Sequence, residues 1–100
     1  MLEPIFRFDR PGGARYVNAA ISAGQAGQLA GLLREREGRR LAVQLERATR
    51  VPANPIVRLA AAESRLLLDA LDELARTFGL GGNLEQLRRA VAAEVALHSR

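Results

Sequence analysis

Val17 to Arg36 reads VNAAISAGQAGQLAGLLRER and Pro55 to Leu74 reads PIVRLAAAESRLLLDALDEL; set against each other at an offset of 38 positions, the two follow one pattern. Ile21 falls on Leu59, Gln25 on Glu63, Leu29 on Leu67 and Leu33 on Leu71. In each stretch a short alternating run leads into apolar residues at helical spacing, so the chain reads as a duplicated unit. The copies extend over about 17–50 and 55–98 of a single domain, 1–100.

Outward from this pair, Ile5 to Asp9 alternates, with Phe6 and Phe8 on one face and Arg7 on the other. Arg10-Pro11-Gly12-Gly13 is a turn signal, and a second alternating run follows in which Val17, Ala19 and Ile21 oppose Tyr16, Asn18 and Ala20. Ser22 with Gln25 has capping-box spacing and opens a helix whose stripe is Ala26, Leu29, Ala30 and Leu33. Gly38 is the expected stop. A second helix runs over about 39–50 with Leu41, Leu45 and Ala48 inward, ended by the stiff linker Val51-Pro52-Ala53-Asn54-Pro55.

Ile56 to Leu59 reads as the third strand, Val57 and Leu59 matching Ala19 and Ile21. From about 61 to 78 a helix carries Leu66, Leu67, Leu71, Leu74 and Phe78 over more than half its circumference, the pattern of a central core helix. Gly79 is expected in the left-handed position with Leu80 folded back, a Schellman stop. Asn83 with Gln86 then caps a last helix lined by Leu84, Leu87, Val91 and Val95, while Asp72 is placed to pair with Arg76 and Glu85 with Arg88 and Arg89. The expected fold is α+β: an N-terminal hairpin and two strand-helix-helix units, forming a small antiparallel sheet with helices on one face.

All 15 basic residues are arginine; against 11 acids they leave a net charge of +4, and cysteine is absent. Neither a disulfide framework nor a thiolate metal site can form. No apolar run reaches the roughly 18–20 residues that span a bilayer, and Met1-Leu2-Glu3-Pro4 lacks a signal-peptide n-region. A bacterial, cytoplasmic protein is expected, the arginine excess being what GC-rich coding yields.

Three features are candidate sites. Gly24, Gly27 and Gly31 lie on the first helix opposite its leucines, each costing about 1 kcal/mol against alanine, and a smooth strip lets another backbone approach. Arg34, Arg36, Arg39 and Arg40 cluster where the first helix meets the second, interleaved with Glu35 and Glu37. The outward sheet face would show Arg7, Tyr16, Asn18 and Arg58, types that read base edges or stack on unpaired bases. In element order, residues 16 to 96 resemble a single-chain ribbon-helix-helix dimer; that resemblance implies DNA binding through outward ribbon residues. The strand at 5–9 widens such a ribbon, and the second helix of the first copy lacks the family's polar start.

For catalysis the inventory is thin. The one histidine, His98, stands four residues after Glu94, a spacing open to a metal or acid-base pair but also to a fraying helix end. There is no phosphate loop and no nucleophile with a recognisable base. The leading expectation is a non-catalytic module that binds another protein or itself through the glycine strip or an exposed sheet edge, without cofactor or metal. Nucleic-acid binding by the sheet face and arginine cluster is the alternative, and an enzyme active only within a larger complex is the third.

Overall fold

Pro11 and Gly12 set the first element. Proline supplies the φ that the first central position of a turn needs, and Gly12 takes φ 79°, where a side chain is strained. In the computed structural model, which describes residues 3–50 and 56–98, this two-residue turn joins β1 (Ile5–Arg10) to β2 (Gly13–Asn18), with Arg10 opposite Gly13 and Phe6 opposite Val17. The linker expected at 51–55 lies outside the described residues.

Helices α1 (Ala23–Arg34) and α2 (Arg39–Arg50) follow, then β3 (Ile56–Leu59), α3 (Ala61–Phe78) and α4 (Gly82–His98). Ser22 caps α1: its hydroxyl accepts from the Gln25 N–H at 3.1 Å, and Gln25 Oε1 accepts from the Ser22 N–H at 3.0 Å. At α3, Glu63 Oε1 likewise accepts from the Ala60 N–H at 3.0 Å, although Ala60 has no side chain to reciprocate.

The α+β class holds, with a sheet of different pairing from the one expected. Its order is β2-β1-β3: β1 pairs antiparallel with β2 but parallel with β3. The sheet is therefore mixed, because α1 and α2 carry the chain from β2 across to the far side of β1. The two strands that a ribbon-helix-helix arrangement would pair are separated by β1. In addition β2 ends at Asn18, so Ala19 and Ile21, though buried, lie beyond it.

Strand alternation sends Phe6, Phe8, Val57 and Leu59 to the inner face, all with no exposed surface. Ala26, Leu29, Ala30 and Leu33 of α1, Leu41, Leu45 and Ala48 of α2, and Leu67, Leu71 and Leu74 of α3 meet them in one core. Phe78, expected in that core, is 70% exposed, since it sits at the last turn of α3.

The stops differ in detail from their sequence signals. After α1 the left-handed position belongs to Glu37 (φ 62°), and the Gly38 N–H donates to the Leu33 carbonyl at 2.7 Å, the long bond of a Schellman turn. Gly38 is needed for closeness: a Cβ there would lie 3.0 Å from the Leu33 carbonyl oxygen. Gly79 takes φ 77° and ψ 163°, a positive-φ conformation outside the left-handed helical region, with Leu80 half-buried on the core. Helix α4 opens at Gly82, with the Glu85 N–H donating to Gly81, so Asn83 lies within the first turn instead of capping it.

Candidate functional site

The glycine strip borders a groove between α1 and α3. Gly27 and Gly31 form its floor, Leu32, Leu74 and Phe78 its apolar wall, and its volume is about 400 Å³. Nothing lies within 4 Å of where a Cβ would sit on Gly27 or Gly31, so the space above them is open. Gly24, one turn nearer the start of α1, is exposed but does not line the groove. Arg36 closes one end, donating to Glu73 at 2.9 Å and to the Leu32 carbonyl at 3.0 Å. From Ala23 to Leu33, α1 carries no charged residue, although its Gly24, Gly27, Gln28 and Gly31 positions face solvent.

The opposite surface is the outer face of the sheet, which no helix covers. Tyr16, Arg7 and Arg58 stand in one row across β2, β1 and β3, and Asn18 lies in the next row beside Ile5 and Ile56. The Arg7 guanidinium is 6.0 Å from the Tyr16 ring centroid, within cation-π range. Its Nε is 3.3 Å from Asp9 Oδ1, an ion pair whose angle does not make a hydrogen bond. The row is the one expected from alternation, and Ile5 and Ile56 add apolar surface to it.

The four arginines of 34–40 do not form one cluster. Arg34 reaches across to Glu46 of α2 and Arg36 to Glu73 of α3, both neutralised. Arg39 and Arg40 face no carboxylate within 4.0 Å among the described residues, and Arg40 instead joins Arg7, Asp9, Arg58, Ala60 and Glu63 around a hollow of about 250 Å³. Asp72 pairs not with Arg76 but with Arg88 of α4, at 2.6 Å, because α4 packs alongside; Glu85 does reach Arg88 and Arg89, at 3.4 and 3.7 Å.

The edge of β3, a candidate for strand addition, is closed at Arg58 by a side chain. Gln44 of α2 accepts from the Arg58 N–H at 2.9 Å and donates to the Arg58 carbonyl at 3.0 Å, doing what a neighbouring strand would do.

Glu94, which the sequence places only as a neighbour of His98, is a buried charge with partners the sequence does not indicate locally. It has no exposed surface, and Val95, expected inward, is partly buried against the core beside it. Arg10 clamps its two carboxylate oxygens, through Nε at 3.1 Å and through Nη2, while Arg15 Nη1 is 3.4 Å away and His98 Nε2 4.0 Å. The hydrogen bonds from Arg10 hold the carboxyl below its ordinary range; burial opposes this, and the charges of Arg10 and Arg15 add to it. The signal was present: 84, 87, 91, 94 is a stripe, and Arg10 and Arg15 sit at inward strand positions continuing Phe6-Phe8 and Val17.

Comparison with protein families, curated proteins and solved structures finds no match. Among the described residues no helix is long and apolar enough to cross a membrane, and no three His, Cys, Asp or Glu side chains group as a metal site would.

Proposed function

We propose that this protein is a non-catalytic interaction module whose working surface is the α1–α3 groove, and that the groove receives a second copy of the chain. The observation that carries this reading is an open, glycine-floored groove of about 400 Å³ with Phe78, 70% exposed, standing on its rim. A large exposed aromatic beside an unfilled apolar hollow is a knob next to a hole, and such a surface is self-complementary about a two-fold axis. Charge favours the same occupant. Two chains of +4 repel, and the uncharged α1 face is where they meet without bringing arginines together. Arg36 and Glu73 at the groove's end are already paired, so covering them orphans neither.

Sedimentation over a wide concentration range tests the reading. The wild type is expected to associate, and Gly31→Leu and Phe78→Ser each to remain monomeric with an unchanged far-ultraviolet circular dichroism spectrum. A wild type monomeric at the highest concentration, or variants that associate as the wild type does, overturns it.

A further inference from the structure

The arginines of this chain divide by place. Of the 14 within the described residues, nine lie within 4.0 Å of a carboxylate and five do not. Four of those five, Arg39, Arg40, Arg47 and Arg58, belong to α2 and the adjoining β3; the fifth, Arg76, is on α3. The positive charge of the chain is thus not spread over it.

The arrangement on that flank is specific. Arg40, Gln44 and Arg47 follow at helical spacing along one side of α2, and Gln44 ties this side to β3 by its two bonds to the Arg58 backbone. Two hollows result, sharing Arg58. One, of about 250 Å³, adds Arg7 and Arg40; the other, of about 210 Å³, adds Gln44, Arg47 and Ile56. The acids bordering the first are engaged, Asp9 with Arg7 and Glu63 with the Ala60 N–H. Gly38, which opens α2, has no side chain to cap it, and no acid stands in its first turn. Beyond Arg58 the row continues over Arg7 to Tyr16, 59% exposed.

We infer that this flank is a binding site for single-stranded nucleic acid, its backbone phosphates on Arg58, Arg40 and Arg47 and a base stacked on Tyr16. A groove of unneutralised guanidinium groups leading to an exposed aromatic is how sequence-tolerant single-strand binders are built. A duplex fits less well, since the three-stranded face offers no projecting helix or two-stranded ribbon to enter a major groove. The site is remote in chemistry from the α1–α3 groove, whose lining combines glycine and apolar residues with Glu35 and Glu73 and no arginine, and does not depend on it.

Fluorescence anisotropy with labelled single-stranded oligothymidylate and oligouridylate, a DNA duplex of equal length and inorganic polyphosphate as competitor tests the inference. The single strands are expected to bind with a log-log salt slope near −2, about 0.7 for each of three phosphates. Arg58→Gln, and Arg40→Gln with Arg47→Gln, should weaken binding about tenfold per arginine, and Tyr16→Ala about tenfold. Arg76→Gln, off the flank, should change nothing. These side chains are exposed and the bonds to Gln44 are made by the Arg58 backbone, so the variants fold; circular dichroism verifies it. The inference is overturned by a wild type that does not bind at low salt, by flank variants no weaker than Arg76→Gln, by an unaffected Tyr16→Ala, or by preference for duplex or polyphosphate.

Discussion

The α1 face and the α2 flank are neighbours in sequence and opposites in chemistry. Between Ala23 and Leu33 there is no charge, and the solvent side is glycine and glutamine; between Arg39 and Arg50 there are four arginines and one glutamate. Only Arg34, Glu35, Arg36, Glu37 and Gly38 separate them, in a turn tight enough that Gly38 presses on Leu33. The inward sides are alike, alanine and leucine at helical spacing. Burial dictates the inward residues of both helices, while the outward ones are left to record what each surface meets. An exposed helix gains about 1 kcal/mol for each glycine replaced by alanine, so retaining Gly27 and Gly31 costs stability that closeness to a partner would offset.

The comparison depends on a shared support, and Leu71 tests it hardest. It is fully buried at the centre of α3, the helix that walls the groove and shares the core with α2. Leu71→Ala should cost about 2–5 kcal/mol, read from a denaturation midpoint. An unmoved midpoint would mean that the two faces do not hang on one core.

Paired and unpaired arginines should separate next. Removing Glu94 leaves Arg10 and Arg15 free to rehydrate, whereas removing Arg10 strands a buried carboxylate, so Arg10→Ala should lower the midpoint more than Arg15→Ala. Glu94→Ala should cost about 2 kcal/mol. The depressed carboxyl has a pH signature. Its stabilisation is present above the unfolded value of about 4.3 and is lost as pH falls through the lower folded value. Wild type should therefore lose stability below about pH 4.3 more steeply than Glu94→Gln, and parallel curves would refute the clamp.

On the neutral face the sign reverses. Gly27→Ala and Gly31→Ala should each raise monomer stability by about 1 kcal/mol, because the helix gains propensity and the added methyl meets nothing within 4 Å. Stability and association measured on the same variants then sharpen the contrast, and a glycine variant that loses stability would show the strip to be internally required.

Much of this was legible beforehand. The capping box at Ser22 and Gln25, the hairpin, the inward stripes and the outward Tyr16-Arg7-Arg58 residues all follow from local chemistry that a chain cannot conceal. The pairing of β1 with β3 was not, since parallel neighbours are chosen by how α1 and α2 cross the sheet and no local residue records it. The burial of Glu94 was missed because a carboxylate at a stripe position is acceptable only once Arg10 and Arg15, some 80 positions away, are known to face it. Phe78 was misplaced for the converse reason: the helical pattern continues one turn past the last element that could cover it.

The smallest effect belongs to the flank itself. Arg58 is exposed, its side chain reaches no carboxylate within 4.0 Å among the described residues, and the bonds that close the β3 edge are made by its backbone to Gln44. Arg58→Ala should therefore move stability by less than about 0.5 kcal/mol, while Gln44→Ala, which leaves the Arg58 N–H and C=O without those bonds, should cost about 1 kcal/mol. Urea denaturation of the two variants beside the wild type reads both. A large loss for Arg58→Ala would place its guanidinium in the architecture of the edge, and the difference between a neutral face and a basic one would then be a matter of how the chain folds and not of what it meets.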